Sequence, residues 1–492
     1  MQKVLSQERN LFLTKSSLPI VAFLCTVLYG LGLIFLLFIL NYPFLQVFFL
    51  GLAIPFAILY LLLPLNYSAT IFLVFMILNH YYISITIFPV AWMEIHPREI
   101  MMFMFLGNFF VNLVLERIYW RWSVFLYFVL LYLLFFAYIA TIGFLSGHHW
   151  QRVIAETRFP FFFLSALIFP HAWKSLASLK KTINIIFILT VLLGIATYAL
   201  FIYVLLTGKI LRLQNYLGEF VPAKIGPFRL QEVRLNGHMF FEIFFIIFLS
   251  QFFYYKEYKE KLKALIFILF FIPPLFILMM NTALVTVFFG SVLVVILYLP
   301  SRLRPLMFVM FTLCLAIVFF TLVLLFHLDI LSWTNSELGI SIQSRLVEIT
   351  GALENLKESP LLGTGMGSQF EGIGLASNFW QDLYALSTIQ TLHNLWVYWL
   401  FKGGIIGFCI IVFALAGIIF LSGYLVNIRY QGNDKGFWVG YWCALVAQVV
   451  VMSLAFPRLS YPIGQVYLAF SVAIFIILED EIFSSDKKVK LS

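Results

Sequence analysis

The sequence predicts an all-α fold: a single polytopic bundle of transmembrane helices over residues 1–492, with a large helical loop on its outer side. Three observations predict it. First, 63% of the residues are hydrophobic and only 11% are charged, against about 25% charged in an ordinary soluble domain. Second, aromatic residues reach 19%, with 58 Phe, which suits side chains facing lipid and the headgroup layer. Third, the apolar residues fall into runs long enough to cross a hydrocarbon core, and short basic segments separate them.

Taken in order, spans are expected near 18–40, 44–63, 67–89, 99–115, 123–145, 159–170, 182–207, 238–255, 264–280, 281–299, 306–328, 404–426, 437–456 and 462–478. That gives about 14 spans, each judged against a helix of about 20 residues. The sixth is short. A tight turn near Asn281 separates the ninth from the tenth.

Charge gives an independent check. With the N-terminus inside, the inside segments are 1–17, 64–66, 116–122, 171–181, 256–263, 300–305, 427–436 and 479–492. They hold 19 of the 31 Lys and Arg residues. The small ones are basic: Arg117 and Arg121; Lys174, Lys180 and Lys181; Arg302 and Arg304. The positive-inside rule therefore predicts both termini in the cytoplasm.

The net charge of +9 is explained by these connections, and no long basic face exists for nucleic acid. Cys25, Cys314, Cys409 and Cys443 each sit in an apolar run, so they read as small buried hydrophobes rather than disulfide or zinc ligands. The opening MQKVLSQERN lacks a signal-peptide pattern, so the first apolar run is expected to be a retained span.

Three outer segments are long: 146–158, 208–237 and 329–403. The second carries Lys209, Arg212, Lys224, Arg229 and Arg234 on the side where basic residues are not expected. Either a longer loop escapes the charge rule, or the cations meet an anionic ligand. The third holds most of the motifs. In SRLVEITGALENLKES, Leu346, Ile349, Leu353 and Leu356 recur at helical spacing, which predicts an amphipathic helix ended by Pro360. Arg345 and Glu348 can pair across one turn of its polar face. LLGTGMGSQF follows, and its alternating Gly363, Gly365 and Gly367 predict a tight, closely approaching turn. Ser387 or Thr388 is then expected to cap a helix running through TIQTLHNLWVYWLFKGG, with His393 and Asn394 in its early turns. Gly403 and Gly404 are expected to end that helix, with Lys402 as a helix-end cation.

The order Arg345, helix, PLLGTGMGSQF, HNLWVYWLFKGGIIG over residues 341–407 resembles the O-antigen ligase and O-antigen polymerase family. These are type-C glycosyltransferases that use undecaprenyl-pyrophosphate-linked glycans. VRLNGHMFFE at 233–242 resembles the family's Arg-x-x-Gly segment and points to Arg234. MMNTALVT near Asn281 stands where the family often has a Ser-Arg pair, and lacks the arginine.

The resemblance implies glycan transfer on the outer face of the bacterial inner membrane. A sugar hydroxyl attacks the anomeric carbon of a glycan on lipid pyrophosphate. The hydroxyl must lose a proton, and charge gathering on the pyrophosphate must be neutralised. Histidine suits the first task near neutral pH, and the arginine fork suits the second. A histidine alone on an interfacial helix is ordinarily a hydrogen-bonded structural residue; the resemblance is what marks His393 as general base. Arg234 and Arg345 are then the pyrophosphate ligands. Arg229, Asn394 and His238 are further substrate-binding candidates. Arginines in that role remove the need for a metal or cofactor, and the outer loops lack a DxD motif.

The implied partners are an undecaprenyl-pyrophosphate-linked oligosaccharide, an acceptor glycan or lipid, and the surrounding membrane lipid. Polymerisation of O-antigen or other surface polysaccharide repeat units is favoured by the number of spans. Ligation to lipid A-core, as in lipopolysaccharide assembly, is the alternative with the same chemistry. A lipid-linked oligosaccharide flippase is the rival of another class; it needs mid-membrane polar groups and broken helices. Glu242, within the eighth span, is expected to pair with an arginine, Arg234 being nearest in sequence.

Overall fold

The computed structural model describes residues 56–78, 88–90, 93–207, 218–225, 228–235, 237–278, 281–307, 309–310, 313, 348–374, 385–389, 392, 394–453 and 461–491. The spans expected at 18–40 and, for nearly all its length, at 306–328 lie outside them, as do His393 and Arg345.

Helices dominate, as the apolar runs predict. In chain order they are α1 (Leu65–Leu78), α2 (Pro97–Val114), α3 (Phe125–Leu145), α4 (Trp150–Phe161), α5 (Leu176–Thr207), α6 (Met239–Tyr254), α7 (Tyr258–Ile277), α8 (Asn281–Tyr298), α9 (Leu395–Tyr424), α10 (Lys435–Ala447) and α11 (Pro462–Leu491). Among the described residues, four stretches are long and apolar enough to cross a membrane: Phe125–Leu145, Trp150–Ala172, Leu176–Thr207 and Leu395–Arg429. Shorter apolar helices cover Leu65–Leu78, Met239–Tyr254, Thr282–Tyr298 and Lys435–Val451. Large side chains such as Phe103, Leu130, Leu192, Phe413 and Phe420 point outward. That arrangement is favourable only where the surroundings are themselves apolar.

Among the described residues, three pairs of strands form antiparallel ribbons: β1 (Phe88–Val90) with β2 (Met93–Ile95), β3 (Gly218–Ile225) with β4 (Phe228–Leu235), and β5 (Phe370–Gly374) with β6 (Ala385–Ile389). The β3–β4 ribbon lies within the basic segment 208–237. Its register sets Arg234 opposite Glu219 and Arg229 opposite Lys224.

Two expected boundaries need correction. The sixth span does not begin at 159. Helix α4 starts at Trp150 and continues through a 3-10 segment, Phe162–Leu167, to Ala172. QRVIAETR falls in the expected outer segment 146–158, but Glu156 is buried against Lys402 and Arg158 pairs with Glu99 at 2.7 Å. Nor do Ser387 and Thr388 cap a helix, since both lie in β6. Asn394 caps α9, its Oδ1 accepting from the Val397 N–H at 3.1 Å. The break expected at Gly403–Gly404 is present: α9 is two helices joined across Gly404, which has φ 59° and ψ −166°.

One end of the bundle gathers four segments assigned to the inside. The buried Arg121 guanidinium donates to the Asp480 carboxylate at 2.9 Å. It also donates to the carbonyls of Pro170 (2.6 Å), Trp173 (2.7 Å) and Lys174 (3.0 Å). Ser123 donates to Glu479, and Lys180 pairs with Asp434 at 2.7 Å. Burial pushes the Asp434 carboxyl up, but hydrogen bonds from Lys180 and Tyr430 outweigh it and hold the group below its usual range. Within the bundle, α6 packs against α7, α8 and α10. Glu242 on α6 accepts from Gln448 Nε2 at 2.7 Å, a partner that sequence spacing did not indicate.

Candidate functional site

The opposite end is organised by the glycine-rich segment 359–369. Antiparallel helices α3 and α9 approach closely here. Gly403 sits against Phe135 and Ile139, and Gly407 against Phe135 and Tyr138. Small residues permit this contact, as at membrane helix interfaces generally. The glycine segment then inserts at the break in α9.

An unbroken helix would pair the carbonyls of Phe401 and Lys402 with the N–H groups of Ile405 and Ile406. Here the inserted segment takes over both halves of that pairing. Thr364 N–H donates to Phe401 O at 3.0 Å, and Gly365 N–H to Lys402 O at 2.9 Å. On the other side, Ile405 N–H donates to Pro360 O at 3.0 Å, and Ile406 N–H to Leu361 O at 3.2 Å. Four polar groups freed by the break are thus satisfied inside an apolar bundle, where leaving them bare is costly. The Met366 N–H bonds to Ile139 O at 2.9 Å, joining the segment to α3.

Such close contact requires the glycines that the sequence supplies. Gly363, Gly365 and Gly367 all have left-handed φ, between 77° and 81°. A Cβ on Gly365 would lie 2.2 Å from Gly143 N, and one on Gly404 would lie 2.4 Å from Gly363 N. Side chains secure the outer edge of the segment. His148 Nε2 donates to Thr364 O at 2.8 Å. Tyr138 OH donates to Leu362 O at 3.0 Å, and Arg152 donates to Gln369 Oε1 at 2.6 Å.

Beneath the turn lies a buried ion pair. Lys402 Nζ donates to Glu156 Oε1 and to Ser368 O, both at 2.9 Å. Gly367 N–H donates to Glu156 Oε2 at 3.1 Å, with Tyr398 OH 3.5 Å from the same oxygen. The Lys402 side chain is wholly enclosed and that of Glu156 nearly so. Lys402 does stand at the end of the first segment of α9, as expected, but its side chain is buried in an ion pair. Its charge points into the junction of α4, α9 and the glycine turn.

The sequence-derived candidates stand as follows. Asn394 is the N-cap of α9, and His393 lies outside the described residues. His238 is buried at the start of α6. Arg234 and Arg229 lie on β4, described through their backbone register alone. Glu156, Tyr398 and Lys402 were missed as a group. The available signal was a lysine standing between Phe401 and Gly403 in an otherwise apolar run.

Among the described residues, no group of three or more His, Cys, Asp or Glu side chains is placed to hold a metal ion. No curated protein matches the chain. The family model for O-antigen ligase matches residues 264–412, from α7 through the glycine turn to the continuation of α9 beyond its break. The residues that build this junction from the C-terminal half of the chain thus lie inside the stretch that is similar to the O-antigen ligase family.

Proposed function

We propose that this chain transfers glycan from undecaprenyl pyrophosphate on the outer face of the inner membrane, joining repeat units into a surface polysaccharide. The observation that carries the reading is a coincidence in place. The family match falls on the segment where a broken helix and a glycine turn meet, and the same stretch of sequence holds His393. In the proposed reaction His393 accepts the proton of the acceptor hydroxyl. The hydroxyl oxygen forms the new glycosidic bond as the bond to pyrophosphate breaks. The released electron pair stays on undecaprenyl pyrophosphate, stabilised by Arg234 and Arg345. Arginines in that role make the transfer metal-independent.

The bundle topology agrees with this orientation. Segments 116–122, 171–181, 427–436 and 479–492 converge at one end. Segments 146–158 and 359–369 meet at the other. We assign the first end to the cytoplasm, with about 14 spans in all. Broken helices also occur in transporters. In this chain the four groups freed at the break are bonded to the chain's own glycine turn, which favours an enzyme scaffold over a flippase.

The test is to incubate the purified protein with undecaprenyl-pyrophosphate-linked repeat units, with and without a chelator. A ladder of products on the carrier identifies a polymerase. Transfer to added core lipid identifies a ligase. Absence of both products overturns the reading. Arg345→Lys refines the test, because lysine keeps the charge and loses the bidentate fork. The transfer rate is expected to fall about 10-fold or more, equivalent to about 1.4 kcal/mol of transition-state stabilisation. An unchanged rate would instead assign Arg345 to an ion pair with Glu348.

A further inference from the structure

We propose that Lys402, held by Glu156, is a positioning residue: it fixes the rotation and register of the α9 segment that His393 precedes in sequence. The proposal rests on His393 being the general base.

The argument begins with what α9 lacks. From Leu395 to Phe401 its side chains are apolar or aromatic. Apolar contacts are non-directional, and lipid or an apolar bundle offers them at many rotations. The break at Gly404 also separates this segment from the long helix that follows, so that helix does not impose its rotation on it. Directional contacts must do so: the Phe401 and Lys402 carbonyls bond the glycine turn, and side chains add the link to α4. Tyr398 and Lys402 lie one turn apart on one face, and both meet Glu156. The same lysine bonds Ser368 O on the glycine turn, and the same carboxylate accepts from Gly367 N–H. One ion pair therefore ties α4, α9 and the turn together. Asn394 lies eight residues before Lys402 on this stiff segment, about 12 Å along the axis.

Stability alone is a weak reason for such a pair. Desolvation offsets most of the attraction between buried charges, and a well-packed apolar pair often serves as well. What an apolar pair lacks is a hydrogen-bonding geometry that admits one rotation. Placement matters because a misplacement of about 1 Å can cost a reaction about 100-fold.

The experiment uses the full-length protein and three variants: Lys402→Met, Glu156→Gln, and the two combined. Each is assayed for kcat, KM and thermal unfolding midpoint in detergent. Both single variants are expected to unfold earlier, because each leaves a buried group without its partner. The double variant is expected to recover most of the midpoint. Its kcat should nevertheless stay about 100-fold below the parent, with KM within about threefold, because Gln and Met cannot tie α9 to Ser368 O. Recovery of kcat together with the midpoint would reduce the pair to a structural role and overturn the proposal, as would parent kcat in the single variants. His393→Ala is measured separately. If that variant keeps the parent rate, the general-base reading fails. A low kcat in the double variant would then still locate a positioning effect on α9, though not one acting through His393.

Discussion

Replacing His393 with Ala is expected to lower the rate of glycan transfer about 100- to 10,000-fold, the range set by a positioned general base. KM for the lipid-linked donor should change little, since the pyrophosphate is assigned to Arg234 and Arg345. The acceptor hydroxyl would still approach the anomeric carbon, but no side chain would be in place to take its proton. The pH profile gives a second readout. A base acts in its unprotonated form, so the parent rate should rise with pH along its acid limb, and the variant should lose that limb. Added imidazole should restore part of the lost rate if the imidazole ring itself is what is missing. A variant with parent activity, or one with the same acid limb, would move the base elsewhere. The unfolding midpoint of the variant, measured alongside, separates loss of the base from loss of the fold. The capping oxygen and the buried face of α9 belong to other residues.

Much of this arrangement was legible in the sequence. Apolar runs located the helices because a membrane span needs length and little else. Gly403–Gly404 marked the break in α9, since a helix seldom passes such a pair unchanged. The alternating glycines marked a turn of close approach. What the sequence concealed depended on contacts between distant residues. Glu156 and Lys402 are 246 residues apart, so each read as an isolated charge, one in a polar loop and the other at a helix end. Together they permit α4 to start nine residues earlier than its hydropathy indicated. The cap of α9 was misassigned for a local reason. Ser387 and Thr388 are good capping residues, but pairing with β5 takes them into a strand. Pairing also turned much of the basic segment 208–237 into a ribbon. Its charged residues follow no strict apolar–polar alternation, so the period of a strand was not visible.

The second large effect is expected from a single methyl group. Gly365→Ala should abolish both accumulation of folded protein and glycan transfer, and the cause can be separated into two parts. Gly365 has φ 77°, where an L side chain costs about 1–2 kcal/mol. The added Cβ would also lie 2.2 Å from Gly143 N and 2.5 Å from Gly143 Cα. These are backbone atoms of α3 and cannot swing aside. The turn would have to withdraw, giving up the Gly365–Lys402 and Met366–Ile139 hydrogen bonds. Each polar group left buried without a partner costs about 1–3 kcal/mol. The sum is a large share of the roughly 5–15 kcal/mol that holds a typical domain together. Gly147→Ala supplies the control. Gly147 has nearly the same φ, 76°, yet nothing lies within 4 Å of the place its methyl group would occupy. It should therefore show the conformational cost alone: a slightly lower unfolding midpoint with transfer intact. Equal behaviour of the two variants would mean that the turn does not lie against α3. A severe Gly365 defect beside a mild Gly147 defect would assign the difference to the backbone contact, on which the seating of the turn in the break of α9 depends.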